Sequence, residues 1–464
     1  MILWPQHPNE PQSNEARKQL SQVEPIAQRT YTPSLGIISK AAGSFVWTQE
    51  GRKLYDFTSG VLVANLGHHP KTWLQRVLKE MGWDQLEASP LLYPEMAPLT
   101  AYNAATPIEI RAAQELSHFI RQCPGGEHCD QILWAASGSE AIQKALWTAL
   151  AARPGRSKII ATRFGFHGKK GLAGAVSGSE SDSDRDPRVL FIPFPMPECC
   201  DVQCTLQQSF WEPLESALAE LAHKQHGQMA ALITEPYLGA AGSYHPPAWY
   251  LQRLQSFCRE HDLVFILDEI QSNFGRTGHY FAFEAYGLQP DLVVLGKGLG
   301  NGIPVAAVAG PKQLMSALPF GAGSDTYSGH TLGCAAVIAT LDAFRSSDLL
   351  AHVRNLNRMI GQGLAELRSL PFVKHIRGEK QGLVWGIEIS AWQQQSANAM
   401  ANACVEVCYR GEQSSGMGIH LLGPLAGNVL RIAPPYSLRI QEAQAACELI
   451  LRLWRTLVNE PMGG

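Results

Sequence analysis

From Gln131 to Lys297 the chain alternates continuous apolar runs with amphipathic stretches. "ILWAA", "KIIATR", "AALITEP", "LVFILDE" and "DLVVLGK" read as strands buried on both faces. Between them, Ala141, Ile142, Ala145, Leu146 and Ala149 recur on one helical face, and "WYLQRLQSFCREH" reads as a further helix. Apolar strands separated by helices predict an α/β lobe with a mostly parallel sheet between two helical layers. Upstream, "FVWTQEGRKLYDF" alternates as two short strands around a turn at Glu50-Gly51, while the polar stretch before about Pro33 reads as an arm carrying little core. Downstream, after about Ala335, come the helix "GCAAVIATLDAFRSS" and the strand-like "GLVWGIEI" and "VLRIAPP". The predicted division is an arm and part of a small α+β domain over 1–65, a large α/β domain over 66–335, and the rest of the small domain over 336–464.

The length of 464 residues requires more than one packed core. A formal charge of −3 gives no electrostatic case for nucleic acid or an anionic membrane, and no segment reaches the roughly 20 apolar residues of a membrane span. The expectation is a soluble, cytoplasmic protein acting on a small molecule. Most cysteines, such as Cys258, Cys334 and Cys447, sit in apolar contexts suited to buried thiols. Two groups, Cys123/His128/Cys129 and Cys199/Cys200/Cys204, lack the paired CxxC spacing of zinc sites, so no metal is expected.

Ligands of open α/β sheets collect at the carboxyl ends of the strands, and several of those ends carry unusual residues here. In "AASGSEAIQKAL" a strand gives way to a helix at about Ser139, so Gly138, Ser139 and the unpaired N–H groups could receive a phosphate; an ordinary serine cap followed by glutamate is the bland alternative. Asp268 follows the five apolar residues of "LVFIL", where a buried carboxylate needs a cation or a hydrogen-bond donor. Lys297 ends "DLVVLGK" inside a cluster of glycines, which fit close packing against a flat ligand, and a desolvated amine there can form an imine. Pyridoxal 5′-phosphate accounts for all three: an aldehyde for the lysine, a ring nitrogen for the aspartate and a phosphate for the helix.

With these residues in "LDEIQSNFGRTG", "LGKGLGNGIPVAAV", "TYSGHTLGCAA" and "VLRIAPP", the chain from about Tyr31 to Ser437 closely resembles the class III, or ω-type, aminotransferases of the fold type I pyridoxal-phosphate enzymes. The resemblance implies that Lys297 is the Schiff-base lysine and Asp268 the partner of the ring nitrogen. It gives Ser137, Gly138 and Ser139 to the phosphate, Phe166 to stacking on the ring and Gln271 to its phenolic oxygen. His167, next to Phe166, joins the cofactor-binding set without a specified task. Thr326 would reach the phosphate of a neighbouring subunit, implying a homodimer with shared sites. Arg431 would bind a substrate carboxylate, a task suited to its planar fork, and Tyr31 and Val61 would line the substrate entrance. Glu235 matches the family's Glu-Pro glutamate, whose role here is either structural or catalytic.

Two departures bear on substrate. Ornithine and 4-aminobutyrate aminotransferases carry a glutamate five residues after the Glu-Pro glutamate, where this chain has Ala240; they also carry an arginine for the distal carboxylate of 2-oxoglutarate, where it has Lys169. The expected reaction is transfer of an amino group from a primary amine or ω-amino acid to a 2-oxo acid, pyruvate or 2-oxoglutarate, with the departures leaning toward pyruvate. A decarboxylating transaminase or an aminomutase on the same fold is the alternative within enzymes, and an inactive cofactor-binding regulator the alternative outside them.

Overall fold

The computed structural model describes residues 4–183, 185–196, 211–378, 381–412 and 414–459. These form two compact units, one from the chain up to Pro70 and from Ala351 onward, the other from the described residues between Lys71 and Leu350.

The larger unit is built on seven strands: β1 (Gln131–Ala135), β2 (Lys158–Thr162), β3 (Val189–Ile192), β4 (Met229–Thr234), β5 (Val264–Asp268), β6 (Leu292–Leu295) and β7 (Ala306–Gly310). Their order is β1-β7-β6-β5-β4-β2-β3. All neighbouring pairs run parallel except those of β7, which is antiparallel to both β1 and β6. The connection Gly296–Val305 explains the exception, because it is shorter than the dozen or so residues that a parallel crossover needs. Every residue of β4, β5, β6 and β7 is buried, so these strands show apolar runs without alternation. The helix Gly138–Ala152 lays Ile142, Ala145, Leu146 and Ala149 onto Ile159, Ile233, Ile266, Val294 and Val308 of the sheet. Each fully buried branched side chain there contributes about 1.5–3 kcal/mol, which fixes the start of that helix beside the strand ends.

The helix Thr331–Ser346 lies in the larger unit, whereas the sequence reading began the small domain at about residue 336. Trp73 donates its indole N–H to Thr340 Oγ1 at 3.0 Å, one of the contacts that tie this helix to that unit.

The smaller unit holds one sheet of Ile38–Ala42, Phe45–Thr48, Lys53–Asp56 and Gly418–His420, and another of Val373–Gly378, Trp385–Ile389 and Val429–Ile432. Its N-terminal segment buries no apolar side chain, as expected of a stretch carrying little core, yet it is an ordered helix rather than a loose arm. Residues Pro11–Val23 form a helix whose Arg17 is fully buried, donating to Glu10 Oε2 at 2.7 Å, the Leu35 carbonyl at 3.0 Å and Asn14 Oδ1 at 2.7 Å. Attachment through ion pairs and carbonyls leaves no apolar stripe in the sequence, which is why composition alone suggested a loose arm. Among the described residues, no helix is long and apolar enough to cross a membrane.

Candidate active site

Asp268 ends β5 and is 4% exposed. The donor its burial requires is His167, whose Nδ1 lies 2.7 Å from Asp268 Oδ2; the Ile270 N–H donates to Oδ1 at 3.0 Å. The His167 ring is fully buried, and its Nε2 has no hydrogen-bond partner. Glu235, just past the end of β4, accepts from the backbone N–H of Phe166 at 3.0 Å and of Gly239 at 3.3 Å. It therefore fastens the segment that carries Phe166 and His167. Burial pushes the Glu235 carboxyl up to about 7, with His167 opposing the shift and Asp268 adding to it.

Lys297 follows the end of β6 with φ +47°, a left-handed conformation that lysine rarely adopts and that persists only where the surroundings enforce it. Part of that enforcement comes from Asn273, whose side-chain amide donates to the carbonyls of Glu269 at 2.7 Å and Gly296 at 3.0 Å, tying the turn after Asp268 to the residue before Lys297. Sequence reasoning assigned Asn273 no role; its place five residues after Asp268 in "LDEIQSNFGRTG" was the available signal. Two of the glycines near Lys297, Gly300 and Gly302, have a local cause. A Cβ at Gly300 would lie 2.1 Å from the Ile303 carbonyl oxygen, and Gly302 has φ +116°, so the chain's own turn demands both.

The capping alternative at Ser137 is present: its Oγ accepts from the Glu140 N–H, and Glu140 Oε2 accepts from the N–H groups of Ala136 and Ser137 at 3.1 Å each. The N–H groups of Gly138 and Ser139 have no acceptor inside the helix and remain at its open end. A Cβ at Gly168 would fall 2.0 Å from Ser139 Oγ, so the segment after His167 runs against this helix start. Gln271 Oε1 is buried without a hydrogen-bond partner. Thr326 is exposed, in a loop pinned by Asp325, which accepts from the buried Lys144 at 2.7 Å. Lys169 lines a cavity of about 930 Å³ with Gln143, Trp147 and Arg188, and neither Lys297 nor Asp268 is in that lining.

Tyr31, Val61 and Arg431 belong to the smaller unit. Tyr31 is exposed, and its carbonyl approaches Gly423 so closely that a Cβ there would lie 2.4 Å away. Arg431 is buried in the strand Val429–Ile432, opposite Gly386. Val61 is 42% exposed, in a turn where Ser59, Gly60, Val61 and Leu62 all have positive φ, at 49°, 58°, 66° and 61°. Left-handed backbone costs roughly 1–2 kcal/mol for each non-glycine residue, and most for a β-branched one.

Cys123 and Cys129 are buried, and burial pushes the Cys129 thiol up to about 12. His128 Nε2 is committed to the Pro290 carbonyl at 2.7 Å. Among the described residues no group of three or more His, Cys, Asp or Glu is arranged to hold a metal; Cys199, Cys200 and Cys204 lie outside the described residues.

Residues 26–453 match the family described as Aminotransferase class-III. The chain is a class III aminotransferase. This aminotransferase is 32% identical over 414 residues to the acetylornithine aminotransferase of Bacillus subtilis, covering 89% of this chain and 93% of that one. It is 30% identical over 442 residues to an omega-aminotransferase of Caulobacter vibrioides, covering 90% and 93%. Its fold matches the solved ornithine aminotransferase of Toxoplasma gondii with a TM-score of 0.77 at 22% identity, over 98% of this chain and 100% of that one. The fold is therefore that of the fold type I pyridoxal-phosphate enzymes, as the family resemblance implied.

Pyridoxal 5′-phosphate is the cofactor of this family, and the residues of the larger unit fit it. A held carboxyl at the end of β5, buried His167 Nε2 and Gln271 Oε1 atoms without partners, an open helix N-terminus and a lysine on constrained backbone are groups that such a cofactor can use.

Proposed function

We propose that this aminotransferase takes the amino group of a primary amine or ω-amino acid and passes it to a 2-oxo acid, with pyruvate preferred to 2-oxoglutarate. The acetylornithine and omega-aminotransferase relatives support the donor class. The acceptor preference is carried by one observation: a lysine, Lys169, stands where relatives that use 2-oxoglutarate carry an arginine. Even where its amine reaches a distal carboxylate, it offers a point charge in place of a bidentate fork.

Bound pyridoxal 5′-phosphate supplies an aldehyde and an electron-accepting ring. With that group bound, Lys297 Nζ would be the amine that holds its aldehyde and the base, then acid, that moves the proton of the donor's amine-bearing carbon. Asp268 would serve the ring nitrogen, with His167 keeping that carboxyl in one orientation. Phe166 would stack on the ring, Gln271 would serve the phenolic oxygen, and Ser137, Gly138 and Ser139 would hold the phosphate. Thr326 joins them from a second copy in a cytoplasmic homodimer. Glu235 acts by holding the Phe166–His167 segment, Tyr31 and Val61 line the entrance, and Arg431 takes a substrate carboxylate, with Ala240 leaving it without the masking glutamate of its ornithine-specific relatives.

The test is kcat/KM for pyruvate and 2-oxoglutarate with one common donor. A lost bidentate bond at a desolvated site corresponds to about a ten- to hundredfold preference for pyruvate. A preference for 2-oxoglutarate that Lys169→Ala diminishes would overturn the acceptor assignment.

A further inference from the structure

The left-handed turn Ser59–Leu62 stands on a second aspartate-histidine pair, in the smaller unit. Asp56 ends the strand Lys53–Asp56, is 1% exposed, and meets His68 Nε2 at 2.8 Å through Oδ2. Its other oxygen, Oδ1, accepts from the Thr58 backbone N–H at 2.8 Å and the Thr58 hydroxyl at 2.7 Å. The Thr58 oxygen in turn accepts from the Gly60 N–H at 3.0 Å, inside the turn. At the far side, Ser59 Oγ donates to the Ala433 carbonyl at 2.7 Å, and the N–H groups of Val63 and Ala64 both reach the Ser59 carbonyl at 2.8 Å. His68 is itself immobilised, because its backbone exchanges two 2.9 Å hydrogen bonds with Gly43. An unbroken path thus runs from Gly43 through His68, Asp56 and Thr58 to Gly60, the residue before Val61.

A β-branched residue in left-handed backbone relaxes to an ordinary conformation unless its neighbours prevent it. What the path maintains is therefore the place of the Val61 side chain. We propose that His68 and Asp56 are positioning residues for donor selectivity, holding the strained turn so that Val61 meets the donor's carbon chain at a fixed place. The proposal rests on the reading of Val61 as a substrate-lining residue. Unbranched aliphatic amines are the class that benefits, because a small aliphatic side chain held still admits an extended chain and rejects a bulky substituent beside the amine.

The experiment uses full-length protein loaded with cofactor and two donors, 4-aminobutyrate and 1-phenylethylamine, with KM and kcat measured for each. His68→Leu removes the donor to Asp56 and should raise KM for 4-aminobutyrate relative to 1-phenylethylamine by about tenfold, the scale of a small displacement at a bound substrate, while kcat at saturation changes by less than about threefold. His68→Gln, which offers an amide donor to the same carboxyl, should restore most of the ratio. Thr58→Val, which keeps the shape and removes the hydroxyl between Asp56 and Gly60, should shift the ratio in the same direction and serves if His68→Leu does not fold. Val61→Ala separates the two ideas. If it leaves the donor ratio unchanged, the reading of Val61 as substrate-lining fails and the proposal fails with it. If Val61→Ala shifts the ratio but neither His68→Leu nor Thr58→Val does, only the positioning role is overturned. Equal losses in kcat for both donors without rescue by His68→Gln would show a merely structural pair and also overturn it.

Discussion

Two aspartates close strands in this aminotransferase, and each is met by a histidine nitrogen, Asp268 by His167 at 2.7 Å and Asp56 by His68 at 2.8 Å. The pairs differ in what surrounds them. Around Asp268 the second carboxyl oxygen takes a single backbone N–H, the far nitrogen of His167 is buried without a partner, and one of the strained residues of the same unit is a lysine whose side chain can react. Around Asp56 the second oxygen takes two bonds from Thr58, and the strained element is a turn of backbone. The same two residue types thus constrain a reacting group in one unit and the shape of a wall in the other. Unused hydrogen-bonding capacity separates them: a buried pair that leaves polar atoms over is built to meet something else, whereas a pair whose carboxyl is saturated from within is built to hold its own chain.

The contrast is broken most severely at Lys297. Lys297→Ala should lower kcat/KM by at least about a thousandfold, the scale of losing a positioned acid-base group, and borohydride reduction of the parent should label Lys297 alone; full turnover in the variant would remove the lysine from the chemistry. Next in size, Asp268→Asn should cost about a hundredfold or more, almost wholly in kcat and with cofactor retained. A loss confined to KM would place Asp268 with Asp56 among the residues that only shape the molecule. The smallest effect concerns pH. Burial raises Glu235 to about 7, so from about 4.5 upward the unfolded chain loses a proton that the folded protein keeps. The stability linked to that proton is complete below about 4.5 and is lost as pH rises to about 7, an effect of order 3 kcal/mol. Burial likewise raises Glu269 to about 7, so Glu235→Gln should remove roughly half of the decline in Tm across this window. An unchanged slope would mean that Glu235 is ionised in the folded protein throughout.

Asp268 was legible because five apolar residues lead into it, which makes burial and the need for a donor predictable from spacing alone. The identity of that donor was not, since His167 is a hundred positions away in the chain and only the sheet order brings β5 beside β4 and the segment fastened by Glu235. The strand β7 escaped the pattern because "AAVAG" is apolar but small, with no alternation and Val308 as its single branched side chain. Its direction follows from connection length rather than from residue type. The N-terminal helix was missed for the opposite reason, since it is held by Arg17 and Glu10, residues that ordinarily signal solvent. The turn at Val61 leaves no trace beyond Gly60: left-handed backbone at three non-glycine positions is imposed by Asp56, Thr58 and Ala433, not by local preference.

Lys144 gives the larger unit a clock. Its amine is 4% exposed and surrounded by the Trp134 carbonyl, Asp325 and Ser328, all within 2.7 Å, so an acylating reagent can reach it only when the loop bearing Thr326 lifts away. Its labelling rate, read peptide by peptide against that of an exposed lysine such as Lys224, reports how often that loop opens.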